Sequence, residues 1–359
     1  MRTGSLVGSL AVAILFHSGV AAAEDCGPLK QISSVDMTTG PGGSFLVPVS
    51  IDGTPRQMLL ATAGGITNLR QDAMEEMGLH SIDASSIKLL SSNGSTSQSY
   101  TQVDFSLGAI RAPKLQVIVM PAAGGNAPFV GSLAGDFLGL YDVEMDFAGK
   151  KLNFFSKDHC PGHVIYWKMD ALAVLPITRQ LPTADDSRTG YRLFSYRGNH
   201  INVPVSINGK DFKAALNTAS QTSAMSTDTA KFVFGVTADS PGAVPLDSPD
   251  GNPAHRAFRY TFQTLTFDTV TVTNPKFVVY PDLTGSKDPN NSGRTDTRLR
   301  RIDDNIGGGL SIGMDVLRKL HLFVAYSENK LYITPASAPQ SMPVAAAPGV
   351  TAASATTAH

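Results

Sequence analysis

Residues 47–53 read Val47-Pro48-Val49-Ser50-Ile51-Asp52-Gly53, and 156 residues later the chain reads Val203-Pro204-Val205-Ser206-Ile207-Asn208-Gly209. Six of these seven positions are identical in stretches of ordinary complexity, so the chain carries a duplicated unit and must fold as two related halves. The same offset, without a gap, aligns Leu60-Ala61-Thr62-Ala63 with Leu216-Asn217-Thr218-Ala219, then Thr67 with Ser223 and Asp72 with Asp228. A second correspondence closes each copy: residues 132–138 match 311–317 at an offset of 179, as Lys151-Leu152 match Lys330-Leu331. The longer offset predicts insertions in the second copy, within 239–253 and 288–305, which are rich in Pro, Gly, Asp, Asn and Arg as surface loops are.

Each copy reads mainly as strand. Residues 45–51 are Val- and Ile-rich, Asp52-Gly53 is a hairpin-turn signal, and 57–60 form the returning strand. Residues 71–77 and 228–234 are predicted as short helices ended by Gly78 and Gly235. The dipeptides Asn93-Gly94 and Asp250-Gly251 mark turns in matching places, before strands predicted at 100–107, 115–120, 258–267 and 271–279. After one or two helical turns at 136–141 and 315–321, each copy closes in a strand, at 143–155 and 322–334. With 42% hydrophobic and 16% charged residues and a net charge of -1, the chain is no disordered polyelectrolyte. Such a balance provides no global attraction to nucleic acid or anionic lipid.

The two ends read differently. Arg2, an apolar run over 6–16 and Ala21-Ala22-Ala23 have the layout of a secretory signal peptide over 1–23, against an uncleaved anchor as the alternative. Residues 335–359 are almost wholly Ala, Pro, Ser, Thr, Val and Gly and are expected to be disordered. The mature chain then comprises a first lobe at 24–163, a connection at 164–198 and a second lobe at 199–334, with no further membrane span. Cys26 and Cys160, the only cysteines, point to a disulfide in an oxidising compartment, periplasmic or extracellular. Two separate buried thiols, or metal binding by Cys160 with His159 and His163, are the alternatives.

The order strand, turn, strand ending in hydrophobic-Asp-Thr-Gly, flap hairpin, then hydrophobic-hydrophobic-Gly before a short helix resembles the aspartic peptidases of the retropepsin and pepsin type. The resemblance covers about 44–156 and 199–335 and implies an all-β, bilobal pepsin-like fold built from two retropepsin-like repeats. In that family one Asp from each lobe faces the other. Two carboxylates so close share one proton, so that one activates water and the other protonates the carbonyl. The departure is at those positions: the first is Ala61, in Leu60-Ala61-Thr62-Ala63-Gly64, and the second Asn217, in Leu216-Asn217-Thr218-Ala219-Ser220. Alanine has no functional group and an amide does not take a proton from water. The threonines that brace the loops, Thr62 and Thr218, are both kept.

These residues point to an inactive, cofactor-free aspartic-peptidase-like protein that holds an extended peptide or unfolded protein segment. Its floor is Ala61 to Gly64 with Asn217 to Ser220, and its flaps surround Asn93-Gly94 and Asp250-Gly251. An endopeptidase working through another acid and a structural envelope protein are the rival classes. Asp52, Asp72 and Asp228 sit where turns and helix starts favour acids. Gly309-Leu310-Ser311-Ile312-Gly313 fits a serine-hydrolase elbow only if a strand precedes it. The arginines 294, 298, 300 and 301 are partly balanced by three nearby aspartates and read as a solvated loop.

Overall fold

The computed structural model describes residues 26–83, 87–90, 96–97, 99–121, 127–178, 192–194, 201–247, 256–280 and 310–336. The turn dipeptides Asn93-Gly94 and Asp250-Gly251, the arginine cluster, the expected signal peptide and nearly all of the tail lie outside them.

Each lobe begins with the repeated hairpin. In the first, Phe45–Ile51 pairs antiparallel with Thr54–Ala61; in the second, Asn202–Ile207 pairs with Lys210–Leu216. Asp52 and Gly53 have φ of 48° and 79°, and Asn208 and Gly209 have 48° and 77°. Two consecutive positive φ values make the turn whose twist matches that of its strands, and Asp, Asn and Gly tolerate them best. Phe45, Val47, Val49 and Ile51 are buried at alternate positions, and Val203, Val205 and Ile207 repeat the pattern.

The returning strand then enters the middle of a sheet. Thr54–Ala61 runs parallel to Gly131–Ala134, with Ala61 opposite Ala134, and Lys210–Leu216 runs parallel to Ser311–Ile312, with Leu216 opposite Ile312. From there both sheets continue in the same order. The first passes through Asn68–Arg70, Ile110–Met120 and Ser99–Leu107; the second through Ser223–Ser226, Lys276–Tyr280 and Ala257–Thr261. The chain is thus mainly β and bilobal, with helices limited to pieces such as Gln71–Glu76 and Thr227–Phe234. The latter starts on Ser226, whose hydroxyl accepts from the Thr229 N–H, and stops at Gly235 with φ 69°.

Four expected strands are divided. In the second lobe 258–267 is Ala257–Thr261 and Thr264–Phe267, while 271–279 is Val270–Thr273 and Lys276–Tyr280. Pro275 offers no N–H to a ladder and Asn274 has φ 49°, so the hairpin turns a corner there. Bonds from Phe262 N–H to the Pro275 carbonyl (3.0 Å) and from Asn274 N–H to the Gln263 carbonyl (2.9 Å) hold that corner. The first lobe meets the same strain at Pro113-Lys114 with a bulge alone, and its strands stay long. The closing segments are hairpins: Asp142–Asp146 with Lys151–Phe155, and Leu320–Ala325 with Lys330–Pro335. Their turns place Lys150 and Asn329 at φ 55° and 53°; lysine is an uncommon residue there and conceals the first turn in the sequence.

The closing hairpins join the lobes. Asp142–Asp146 pairs antiparallel with Leu320–Ala325 at the centre of a six-stranded sheet, edged by Gln31–Asp36 and by Ala173–Pro176 from the connection. One face carries buried polar groups. Glu144 accepts from Asn153 Nδ2 (2.8 Å) and the Tyr166 hydroxyl, and meets His321 Nε2 at 2.7 Å. Trp167 stacks on His321 with centroids 4.0 Å apart and donates its Nε1–H to Thr334 Oγ1 at 3.0 Å. Asp142 accepts from the Ser327 N–H (2.9 Å) and hydroxyl, and His159 Nε2 lies 2.6 Å from its Oδ2.

Cys26 and Cys160 form a disulfide, with a Cα separation of 4.8 Å across 134 residues. It fastens the start of the chain to the end of the first lobe, and it commits Cys160 so that no thiolate is left for a metal. In the chain-entropy account so long a loop is worth about 4 to 5 kcal/mol. The Cys26→Ser/Cys160→Ser variant is expected to lose roughly 2 to 5 kcal/mol in urea unfolding. Loss of less than about 0.5 kcal/mol would show that the sheet alone fixes this end.

His159 faces Asp142 with Nε2 and the Cys160 carbonyl with Nδ1 (3.1 Å), so both ring nitrogens have acceptors. Burial opposes its charge, but those bonds and the charges of Asp142 and Glu328 outweigh burial and hold its pKa above the usual value. A raised folded pKa gives stability that is complete below about pH 6.5 and is lost as pH rises through the folded value. Thermal unfolding followed upward from about pH 6 is expected to show that loss, and His159→Gln to flatten it. Identical pH dependence in both proteins would refute the assignment.

Candidate functional site

The two loops singled out by the repeat meet at the boundary between the lobes. Thr62 Oγ1 donates to the Leu216 carbonyl at 2.7 Å and accepts from the Thr218 N–H at 3.1 Å. Thr218 Oγ1 donates to the Leu60 carbonyl at 2.7 Å and accepts from the Thr62 N–H at 3.0 Å. The hydroxyl oxygens are 3.3 Å apart, and the two residues are 1% and 0% exposed. Ala61 and Asn217, each one residue before its threonine, are thereby held at matching places on either side of the boundary.

The local turns also match. The Gly64 N–H donates to the Ala61 carbonyl at 2.9 Å, and the Ser220 N–H donates to the Asn217 carbonyl at 3.3 Å. Gly64 is required by close approach: a Cβ there would lie 3.1 Å from both Ala134 Cβ and the Ala61 carbonyl oxygen. Asn217 Oδ1 accepts from the Ala219 N–H at 3.1 Å, whereas Ala61 has no oxygen to offer the Ala63 N–H. Ser220 Oγ donates to the Thr222 carbonyl at 2.8 Å. Ala63, Gly64, Asn217, Ala219 and Ser220 are partly accessible, and Ala61 is buried. The expected flap residues Asn93, Gly94, Asp250 and Gly251 lie outside the described residues.

Behind each loop stands an aspartate to which the sequence reading assigned no role. Asp136 Oδ1 accepts from the Thr67 N–H (2.8 Å), the Thr67 hydroxyl (2.6 Å) and the Phe137 N–H (2.8 Å). Thr67 Oγ1 in turn accepts from the Ala134 N–H at 3.1 Å. The second lobe repeats this: Asp315 Oδ1 accepts from the Ser223 N–H (2.9 Å) and hydroxyl (2.7 Å), and Ser223 Oγ accepts from the Gly313 N–H at 3.0 Å. Burial pushes the Asp136 carboxyl up, although its three bonds act the other way. These pairs were visible as matched letters, Thr67 with Ser223 and Asp136 with Asp315, but lay in two separate correspondences that only the fold brings together.

Other acids are engaged elsewhere. Asp52 Oδ1 accepts from the Asp104 N–H across its hairpin. Asp72 binds Arg70 through both oxygens, which holds its carboxyl below the usual range. Asp228 is exposed in the first turn of its helix. Ser311 lies in a strand between Ala215 and Ala224, and its buried hydroxyl has no hydrogen-bond partner among the described residues, so none of them serves it as a base. Among the described residues no group of three or more His, Cys, Asp or Glu is placed to hold a metal ion.

A sequence model of the family described as aspartyl protease matches residues 47–137 and 203–316, one stretch in each repeat. No curated protein matches the chain in sequence. Among solved structures the chain is similar to an aspartic proteinase from Irpex lacteus, at 14% identity, 84% of this chain, 96% of that one and a TM-score of 0.46. It is also similar to Basic 7S globulin from soybean, at 11% identity, 87% of this chain, 96% of that one and a TM-score of 0.45.

The threonine exchange allows a direct test. Thr62→Val keeps the shape but strips the donor from the Leu216 carbonyl and the acceptor from the Thr218 N–H, each worth about 1 to 3 kcal/mol when buried and orphaned. Thr62→Ser keeps both bonds. Urea unfolding is expected to rank the serine variant near the native protein and the valine variant well below it. Equal stability of the two variants would contradict the bracing role.

Proposed function

The chain belongs to the aspartyl protease family, and from that premise we propose that it holds an extended peptide or unfolded protein segment between its lobes without hydrolysing it. The observation that carries the reading is the pair of positions set by the threonine exchange, where Ala61 and Asn217 stand in place of two acids. Hydrolysis of an amide by water needs one group to take the proton from water and another to give a proton to the carbonyl oxygen. Ala61 has neither capacity, and Asn217 offers only an amide. Asp136 and Asp315, which stand behind these loops, are committed to Thr67 and Ser223.

The floor of the site is then Ala61 to Gly64 and Asn217 to Ser220, and an extended backbone adding to exposed strand edges would supply affinity, as in other strand-addition complexes. The flaps at Asn93-Gly94 and Asp250-Gly251 belong to the same reading. The Cys26–Cys160 disulfide supports an oxidising compartment, so we assign residues 1–23 to a signal peptide and the mature protein to the periplasm or the exterior. No helix among the described residues is long and apolar enough to cross a membrane.

The reading is tested by incubating the mature protein with an unfolded protein from about pH 3 to pH 7, beside the Ala61→Asp/Asn217→Asp double variant. The native protein is expected to leave the substrate intact. Cleavage that copurifies with the native chain through every step, and is lost on Thr62→Val, would overturn the proposal. Cleavage by the double variant alone would localise the loss of chemistry to the two positions.

A further inference from the structure

The two loops superpose in every backbone feature of the threonine exchange, so each donor in one has a counterpart in the other. In the second loop the Ala219 N–H is taken by Asn217 Oδ1. Its counterpart in the first loop is the Ala63 N–H, directed at the place where a side-chain oxygen of residue 61 would be. Ala61 ends at its methyl group, and among the described residues nothing accepts from the Ala63 N–H. Asn217 adds a second donor: Ala219 fixes its Oδ1, so its Nδ2 group is turned away from that N–H, and no acceptor among the described residues engages it. Neither position 61 nor position 217 bears a negative charge. The Ala63 N–H and Asn217 Nδ2 are thus donors at the boundary with no acceptor among the described residues, and this unfilled bonding capacity is the gap that a carboxylate at position 61 would otherwise address.

We infer that this gap is a receptor for a carboxylate brought by the ligand, either the side chain of an Asp or Glu or the C-terminal carboxylate of a peptide. The inference rests on the peptide-holding reading above and names the chemistry that reading leaves open. A carboxylate is acceptor-only and so complements these two donors, and hydrogen bonds from N–H groups to an ionised acceptor are about twice as strong as those to a neutral one. Two aspartates at positions 61 and 217 would repel the same ligand; here that repulsion is removed. The acid is thus supplied by the guest and accepted by the Ala63 N–H on one side and Asn217 Nδ2 on the other.

The test uses the full mature protein and dye-labelled, amidated heptapeptide pools carrying Asp, Glu, Asn or Gln at the central position with mixed flanks. A fifth pool has Ala at the centre and a free C-terminal carboxylate. Fluorescence anisotropy at about pH 6, where carboxyl groups are ionised, is expected to show the Asp or Glu pool, or the free-carboxylate pool, binding about tenfold tighter than its neutral counterpart. Which arm responds identifies the source of the acid. The ratio of acidic-pool to amide-pool affinity is expected to fall to about one in Ala61→Asp, whose own carboxylate fills the gap, and to shrink in Asn217→Ala. Circular dichroism checks that each variant folds, and Asn217→Asp, which adds charge at an accessible position, substitutes if Ala61→Asp does not. Equal binding of acidic and neutral pools by the native protein overturns this inference and leaves the peptide-holding reading standing. Failure of every pool to bind overturns both.

Discussion

Two buried hydroxyl groups, on Thr62 and Thr218, fix the relation between the halves of this protein. Each donates to a main-chain carbonyl of the other lobe and accepts a main-chain N–H from it, so each loop is completed only by its partner. Because every partner except the opposite hydroxyl is backbone, the geometry does not depend on the neighbouring side chains at positions 61 and 217. A methyl group at position 61 and an amide at position 217 each sit one residue before a bracing threonine, and the loops that carry them stay matched.

The second joint between the lobes works by different physics. Asp142 and Glu144 of the first lobe are buried in the central sheet, and their charges are met in part by Ser327 and His321 of the second. Burying such pairs is costly in desolvation, and an apolar replacement of equal shape is often as stable. What they add is discrimination: a shift of register by one residue would part Asp142 from Ser327 and Glu144 from His321. The threonine exchange positions the loops, and the contacts of Glu144 with His321 and of Asp142 with Ser327 favour one alignment of the sheet beneath them.

Much of this was legible in the chain itself. The repeated Val-Pro-Val-Ser-Ile segment with its Asp-Gly or Asn-Gly turn marked both hairpins by local signals, while the contact of the two threonines across the lobes was legible only through the resemblance to a known family. Both closing hairpins read as single strands: in the first, Lys150 occupies a positive-φ position usually marked by Gly or Asn, and in the second Asn329 carries that mark without a glycine beside it. The long-range polar groups were invisible for another reason. Nothing in the sequence around Glu144 indicates that His321, 177 residues away, is its partner, or that Asp136 faces Thr67. Those relations exist only once topology has been built.

The central sheet also has a history in time. Its middle pairing joins residues 142–146 to 320–325, so the first lobe emerges with its innermost edge bare and keeps it bare until nearly the whole chain has been made. Contacts between such distant segments form only after a large loop-closure entropy has been met. The disulfide ties Cys26 to Cys160 across segments that both belong to the earlier part of the chain, so it can shut before the last hairpin arrives. A half-made protein is therefore locked at one margin of its unfinished sheet while the opposite margin waits for the hairpin formed by Leu320–Ala325 and Lys330–Pro335, and arrival of that hairpin is the event that converts two tethered lobes into one molecule.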